Sequence, residues 1–222
     1  MRRRSWLAIL VALTVAPFQS AGSVLPEMSK HLDFGRRCAA RGDQVGAATC
    51  SQLILLERIR VYVDCRNATT EAKKGLATAI RTWTKAVGGE VQFVFVDSRM
   101  EAQVVVSFER TLGDAETAYG GFTRWKRRLS SSSWSLDAQM QLRTHTPAGV
   151  PMSAEQVHHA ALHEFGHVLG LDDSSTQGDA MGPLDLRHPV ATPKPGELAK
   201  LNGLRDEARI LRRASRSARS SR

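Results

Sequence analysis

The residues best suited to chemistry form one short pattern in the last third of the chain. His163, Glu164 and His167 spell H-E-x-x-H, and Gly170 and Asp173 follow at short offsets. Residues four apart on a helix project from the same face, so both imidazoles can bind one Zn²⁺. Glu164 points about 100° around the helix from His163, because an α-helix has about 3.6 residues per turn. Its carboxylate is therefore predicted to lie beside the metal, where it can take a proton from zinc-bound water.

A catalytic zinc ion needs a third protein ligand and one open coordination position. Gly170 can end the helix in a left-handed conformation that turns the chain back toward the metal. Asp173 is then the predicted third ligand, and its neighbour Asp172 is the second choice. We therefore expect one catalytic Zn²⁺ bound by the two histidines and Asp173, with Glu164 as the general base and acid.

A sheet and several helices must position these groups. Ser153 and Gln156 have the spacing of a capping box, which predicts the start of the metal-binding helix. Apolar residues at helical spacing predict an amphipathic helix over 70–87, and a final helix is predicted over 197–213. Alternating or β-branched apolar segments predict five strands, which cover residues 54–63, 91–96, 102–108, 119–125 and 136–142.

The segment 163–173 reads HEFGHVLGLDD and resembles the metzincin signature H-E-x-x-H-x-x-G-x-x-H/D, in the form typical of the matrix metalloproteinase (matrixin) family. Met181, within Ala-Met-Gly-Pro, resembles the methionine of the turn beneath the zinc in that family. The similarity covers about residues 52–212. Asp173 departs from the matrixin pattern, in which the third ligand is histidine, and resembles the snapalysin-like small secreted proteases. An anionic ligand lowers the net charge on the metal.

The resemblance implies an α+β, zincin-like fold. Its twisted, mostly parallel, five-stranded mixed sheet would lie above the active-site helix and be followed by a small C-terminal subdomain. It also implies a zinc metalloendopeptidase that acts on a polypeptide substrate. Residues 120–122 resemble the edge strand that pairs with extended substrate in the family. His188 lies where members build the wall of a substrate pocket. The family's structural zinc and calcium loops are not evident between residues 120 and 153, where His145 stands alone.

The ends of the 222-residue chain differ in composition from its middle. Residues 1–22 have the basic start, apolar stretch and small residues of a secretory signal peptide, and an uncleaved membrane anchor is the alternative. The formal charge of +9 comes from arginines in residues 2–4 and 209–222, so no specific nucleic-acid site is expected. We predict an N-terminal extension or propeptide (23–51), a catalytic domain (52–212) and a basic disordered tail (213–222), in a secreted or periplasmic monomer.

Several residues allow more than one interpretation. Two of the three cysteines, Cys38, Cys50 and Cys65, can pair in an exported protein, but the sequence does not say which. Arg37-Cys38 could be a propeptide thiol that caps the zinc, although a disulfide partner or free thiol is the preferred interpretation. His159 could support His163 from one turn away, and the preferred interpretation of both His158 and His159 is a solvated or core histidine. Trp125 and Trp134 are interpreted as packing residues.

Two other functions compete with peptide hydrolysis. A non-catalytic zinc-binding or peptide-binding module could retain the same scaffold, but binding alone does not need Glu164. The arginine-rich tail could instead attach to an anionic surface or to nucleic acid, in which case binding would weaken steeply with salt.

Overall fold

The computed structural model describes residues 23–113 and 120–217. The predicted signal peptide and residues 218–222 of the predicted tail lie outside this range. The helices are α1 (Pro26–Ala40), α2 (Gln44–Leu55), α3 (Thr70–Ala86), α4 (Ala154–Leu169) and α5 (Pro195–Ser217). The strands are β1 (Arg58–Val63), β2 (Gln92–Phe95), β3 (Val104–Glu109), β4 (Gly121–Leu129) and β5 (Trp134–Arg143). A short 3₁₀ turn, Arg99–Glu101, precedes β3.

The five strands form one sheet in the order β2-β1-β3-β5-β4. The first four strands of this order are parallel, and β4 pairs antiparallel with β5 and forms one edge. The predicted α+β fold with a mixed, mostly parallel sheet is therefore confirmed. The first strand begins at Arg58, four residues later than predicted, because Ile54 and Leu55 belong to the end of α2.

The main core lies between the sheet and the helices α3 and α4. It joins alternate apolar residues of β1, β3 and β5 to the buried faces of the two helices. Trp83 of α3 is buried, and its Nε1 donates to the Leu162 carbonyl at 2.8 Å. Gly75 lets the helices approach closely, because a β-carbon there would lie 2.6 Å from the Ala154 carbonyl oxygen. This packing fixes the position of α4, which carries the H-E-x-x-H pattern.

Residues 26–55 form two helices that the sequence pattern did not predict. We call α1 and α2 the N-terminal helical pair. A second core cluster joins them to α5, and its members include Leu25, Met28, Leu32, Cys50, Ile54, Leu55, Leu204, Ala208 and Leu211. Small residues occupy the contact between the two helices, where a β-carbon on Gly35 would lie 2.7 Å from Cys50 Sγ. Glycine adds no apolar signal to a periodic pattern, so this contact was not visible in the sequence.

The three cysteines are free thiols, so the structure contains no disulfide among them. Cys38 and Cys50 are buried in the N-terminal helical pair, and Cys65 is exposed. The Cys50 thiol donates to the His31 carbonyl at 2.9 Å, and burial raises its pKa to about 11. Among the alternatives for these residues, the structure therefore favours free and unreactive thiols at the two buried positions.

The described part of α5 continues through Ser217, four residues beyond the predicted end at Arg213. Within the described ranges, no helix has the length and apolar character needed to cross a membrane.

Candidate active site

The helix α4 begins and ends where the sequence pattern predicts. Gln156 N donates to Ser153 Oγ at 3.3 Å, and Ser153 N donates to Gln156 Oε1 at 2.9 Å. This reciprocal pair is a capping box, which satisfies two backbone donors at the helix start. At the other end Gly170 has φ 108°, in the left-handed region that glycine adopts without strain. The chain therefore turns back toward the helix and brings residue 173 beside the two histidines.

Three side-chain atoms converge at this turn. Nε2 of His163 and Nε2 of His167 are 3.1 Å apart, and Asp173 Oδ1 lies 3.1 and 3.4 Å from them, respectively. Two metal bonds of about 2.1 Å at a tetrahedral angle separate their donor atoms by about 3.4 Å. The three atoms thus have the spacing of ligands to one cation. Asp172 is instead held by Ser23, whose Oγ donates to Asp172 Oδ2 at 3.2 Å.

The backbone around the site orients both imidazoles. His163 Nδ1 is 3.2 Å from the Ala180 carbonyl oxygen, and His167 Nδ1 is 2.9 Å from the Leu171 carbonyl oxygen. A carbonyl only accepts, so Nδ1 carries the proton in the neutral form of each ring, and each Nε2 then presents a lone pair to the centre. Two lone pairs and the Asp173 carboxylate repel one another unless a cation lies among them. The donor set therefore fits Zn²⁺, which binds histidine nitrogen and carboxylate oxygen.

Glu164 lies between α4 and the edge strand β4, in the same cleft as the histidines. A β-carbon on Gly121 would lie 2.7 Å from Glu164 Cγ and 2.8 Å from its Oε1, so the strand approaches the carboxyl closely. Burial raises the pKa of Glu164, and nearby His163 partly opposes this. A carboxyl with a raised pKa, positioned beside a metal site, can accept and return a proton.

The turn that carries Met181 packs under α4. The Met181 thioether contacts Gly166, and a β-carbon at that glycine would overlap the sulfur. The buried carboxylate of Glu197, on α5, accepts hydrogen bonds from Met181 N at 2.8 Å and from Ala180 N at 3.2 Å. The same Ala180 peptide supplies the carbonyl that orients His163. Glu197 is therefore a positioning residue that sequence analysis missed, because no local motif links α5 to this turn.

Three further residues support His167: Trp125, which the sequence predicted to be a packing residue, and Glu27 and Arg127, which it did not single out. We call Glu27, Trp125 and Arg127 the arginine brace. Arg127 is fully buried and donates through Nη2 to the carbonyls of His167 and Val168, both at 2.8 Å. Its Nη1 pairs with the Glu27 carboxylate, which also accepts from Trp125 Nε1 at 2.8 Å. The Trp125 ring stacks on the His167 ring, with centroids 5.2 Å apart, so the brace contacts the backbone and the side chain of this histidine.

Burial lowers the pKa of Arg127, and the charge and hydrogen bond of Glu27 oppose that shift. A cation near the last carbonyls of a helix is also stabilised by the helix dipole. The brace thus depends on α1, and α1 comes from the segment predicted as an extension or propeptide.

A cleft of about 650 Å³ runs past these residues, and β4, as the edge strand, forms one wall. Residues 120–123 line it, in agreement with the edge-strand prediction. His188 does not line it: its ring pairs with Asp185 at 3.0 Å and is otherwise exposed. Pro183 and Leu184 form the wall at that end instead. The possible substrate-pocket role of His188 is therefore not supported.

The remaining candidates lie away from the metal centre. Cys38 is not among the residues lining the cleft, so the structure does not support a thiol that caps the metal. His158 is buried between α3 and α4, where its Nε2 lies 3.3 Å from Thr82 Oγ1. His145 Nδ1 lies 3.0 Å from Thr144 Oγ1. Within residues 23–113 and 120–217, only the cluster at 163, 167 and 173 brings three potential metal ligands together.

Comparison with known proteins agrees with this geometry. The matrixin family model matches residues 61–188, which is more than half of the chain. The match runs from β1 to the segment after Met181. It includes Glu164 and all three candidate metal ligands. No curated protein matches the chain significantly. The predicted resemblance is confirmed, and the chain belongs to the matrixin family of zinc metallopeptidases.

Proposed function

We propose that this protein is an exported, monomeric endopeptidase that hydrolyses internal peptide bonds with one zinc ion. His163, His167 and Asp173 hold the ion, and Glu164 is the general base and acid. The observation that carries this proposal is the convergence of two lone-pair nitrogens and one carboxylate oxygen beside a buried carboxyl group. The basic and apolar residues of segment 1–22 support export.

The chain's own groups account for the proton movements of hydrolysis. A bound zinc ion supplies Lewis acidity toward the scissile carbonyl oxygen and the attacking water. Glu164 takes one proton from that water as its oxygen forms a bond to the carbonyl carbon. The carbon–nitrogen bond then breaks, and Glu164 returns the proton to the leaving amine. The raised pKa of the Glu164 carboxyl suits a group that must hold this proton between the two steps.

The substrate is an extended polypeptide that lies along β4. This strand forms one edge of the sheet and borders the cleft, so its free backbone groups can pair with a substrate strand. The alternative role of the arginine-rich end is less favoured. Arg209 pairs with Glu90 and Asp206, and Arg212 pairs with Glu57, so these arginines already have acidic partners.

Zinc-loaded protein lacking residues 1–22 tests the enzyme assignment by casein cleavage. Glu164→Gln is expected to lose about 10²- to 10⁴-fold in activity while keeping one zinc per chain. Glu155→Gln, an exposed acid on the same helix, is the matched control and retains full activity. Full activity in Glu164→Gln, or no activity in zinc-loaded wild type, contradicts the proposal and favours the non-catalytic module.

The ligand assignment has its own matched pair. Asp173→Ala is expected to lose bound zinc in elemental analysis, whereas Asp172→Ala keeps it, because only Asp173 approaches both imidazoles. The reverse result would transfer the third-ligand role to Asp172.

A further inference from the structure

The outer face of the edge strand β4 carries three basic side chains in a row. Successive residues of a strand point to opposite faces of the sheet, and burial along β4 alternates accordingly. Thr123 and Arg127 face the helices and are buried. Arg124, Lys126 and Arg128 face the other way and are exposed. We call these three residues the basic row.

The charge of the basic row is not balanced by its neighbours. In the part of the chain that the structure describes, none of the three side chains has an ion-pair partner. The Arg124 guanidinium lies over the Phe122 ring, 5.4 Å from its centroid. Asp137 of β5 lies opposite Lys126 and is the acid paired in register with the row, and its carboxylate accepts from Gln139 at 3.1 Å. Three positive charges therefore face one negative charge, which favours an anionic partner on this face.

The backbone of β4 can bring such a partner beside the row. Arg143 N donates to the Gly120 carbonyl at 2.9 Å, and Ser130 N donates to the Ser133 carbonyl at 2.9 Å. In this antiparallel register, the even-numbered residues therefore direct their backbone groups toward β5. The backbone groups of the odd-numbered residues 121–129 point to the free edge of the sheet.

A strand added at this edge would place its side chains against the basic row. If it runs antiparallel to β4, its hydrogen-bonded partners are the odd-numbered residues. The residues opposite the basic row then form the non-hydrogen-bonded pairs, in which facing side chains come closest. Because side chains alternate along the added strand, every second residue would meet one member of the row.

The row lies to one side of the candidate catalytic groups. Gly121, at the start of β4, approaches Glu164, since a β-carbon on the glycine would lie 2.8 Å from Oε1. Arg124 and Arg128 are three and seven residues further along the strand, at about 10 and 24 Å if each residue rises about 3.4 Å. A polypeptide that extends from the cleft along β4 would therefore reach the row on one side of its scissile bond.

We propose that the basic row selects polypeptide substrates with acidic residues at alternate positions on one side of the scissile bond. Aspartate or glutamate at these positions would form cross-strand pairs of opposite charge with Arg124, Lys126 and Arg128. Lysine or arginine there would place like charges directly opposite each other, which destabilises the pairing. This inference rests on the proposed peptidase function and names the substrate class.

The test uses peptides built on a site that wild type cleaves in casein. They carry Asp, Ser or Lys at every second position along the N-terminal or the C-terminal side of the scissile bond. A second set has the same composition, with the variable positions moved by one residue. For one side and one phase, kcat/KM for the Asp peptide is expected to exceed that for the Ser peptide about 10-fold, and the Lys peptide should be the poorest. The preference should shrink as ionic strength rises.

Reversal of the three charges identifies the row as the cause. The triple variant Arg124→Glu, Lys126→Glu and Arg128→Glu is expected to prefer the Lys peptide to the Asp peptide. The ratio is taken within each variant, so a general loss of folding or zinc cancels. The matched control changes the net charge equally by placing Glu at three exposed basic positions of α3, namely Lys73, Arg81 and Lys85. This control should keep the wild-type preference.

Three results would overturn the specificity proposal and leave the peptidase assignment intact. They are equal cleavage of the Asp, Ser and Lys peptides by wild type, equal cleavage of the two phases, and an unchanged preference in the triple variant. The first would show that the row does not act on substrate, the second that attraction is not directed by strand pairing, and the third that other charges are responsible.

Fluorescence anisotropy with zinc-loaded Glu164→Gln protein separates the two proposals. Labelled Asp peptide is expected to bind about 10-fold more tightly than the Ser peptide, and the triple variant in that background should abolish the difference. If wild type cleaves nothing but this preference persists, the enzyme assignment fails and the role of the row stands. If the peptides bind equally while duplex DNA binds in a row-dependent way, the row recognises nucleic acid and the proposal is wrong.

Discussion

The helix α4, which carries two candidate metal ligands, and the N-terminal helical pair contribute to the same site in different ways. In α4 the candidate metal ligands and the candidate general base have a fixed local spacing. His163 and His167 are one turn apart, and Glu164 lies between them. The helical pair has no such motif, yet Glu27 on α1 pairs with Arg127, which binds the carbonyls of His167 and Val168. Reactive groups are close together in the chain, whereas the groups that position them come from distant segments.

The start of the described chain also contacts the turn that carries the third candidate ligand. Leu25 N donates to the Gly170 carbonyl at 2.9 Å, and Asp172 N donates to the Ser23 carbonyl at 2.6 Å. Residues 23–25 therefore hold both ends of the short segment between α4 and Asp173. This contact makes the segment before the predicted catalytic domain relevant to the metal site, whether it is an extension or a propeptide.

Deletion of residues 23–51 tests whether the N-terminal helical pair is needed for folding and for the metal site, and it should have the largest effect. It uncovers Leu204 and Leu211 of α5 and removes Glu27 from the buried Arg127. Burial of one large apolar side chain contributes about 1.5–3 kcal/mol, so the total loss approaches the whole stability of a domain. We expect the truncated protein to lose near-ultraviolet circular dichroism and zinc binding. Deletion of residues 218–222 is the control, and a folded, active truncated protein would instead identify segment 23–51 as a removable propeptide.

Disruption of the arginine brace should have the next largest effect. Arg127→Met removes the side-chain donor to the Val168 carbonyl and leaves the His167 carbonyl with Gly170 N as its donor. It also leaves the Glu27 carboxylate without its cation and is expected to cost about 3 kcal/mol in the free energy of unfolding. Loss of support for a ligand typically weakens metal affinity about 10- to 100-fold, which competition with a chelator can measure. Arg36→Met breaks an exposed pair with Glu207 and should cost less than about 1 kcal/mol with no change in zinc affinity. Equal effects of the two variants would contradict the role of the brace.

Helix capping is the point at which the two regions should behave alike. Ser153 caps α4 and Asp43 caps α2, and each accepts a backbone hydrogen bond at its helix start. Replacement of either by alanine is expected to cost about 1 kcal/mol in urea denaturation. Because capping is local, neither change should alter zinc affinity by more than a few-fold. A large loss of zinc in Asp43→Ala alone would show that the helical pair controls the metal site even more closely than proposed.

The sequence predictions succeeded for features that depend on neighbouring residues and failed for features that depend on distant contacts. The order of elements from β1 to α5, the capping box of α4 and the turn at Gly170 depend on neighbouring residues and are confirmed. The first strand was extended into α2, because an apolar segment such as Ile54–Leu55 fits either element. The helices α1 and α2 were missed because the buried face of α1 begins with only two large apolar residues, Met28 and Leu32, and continues with the small residues Gly35 and Cys38. The possible substrate contact of His188 is not supported, because that side chain is exposed, pairs with Asp185 and does not line the cleft.

By itself, the sequence determined the family, the mixed α+β sheet and which residues could bind a metal ion, because these depend on residue type at short, regular spacing. Only the tertiary structure decided that Asp173 rather than Asp172 approaches both imidazoles, and that His158 has a partner while His159 has none. It also decided that Glu197 holds the turn that carries Met181 and that Arg127 holds the end of α4. These outcomes depend on which distant surfaces meet, and hydrogen bonds between segments far apart in the chain leave no local pattern in it.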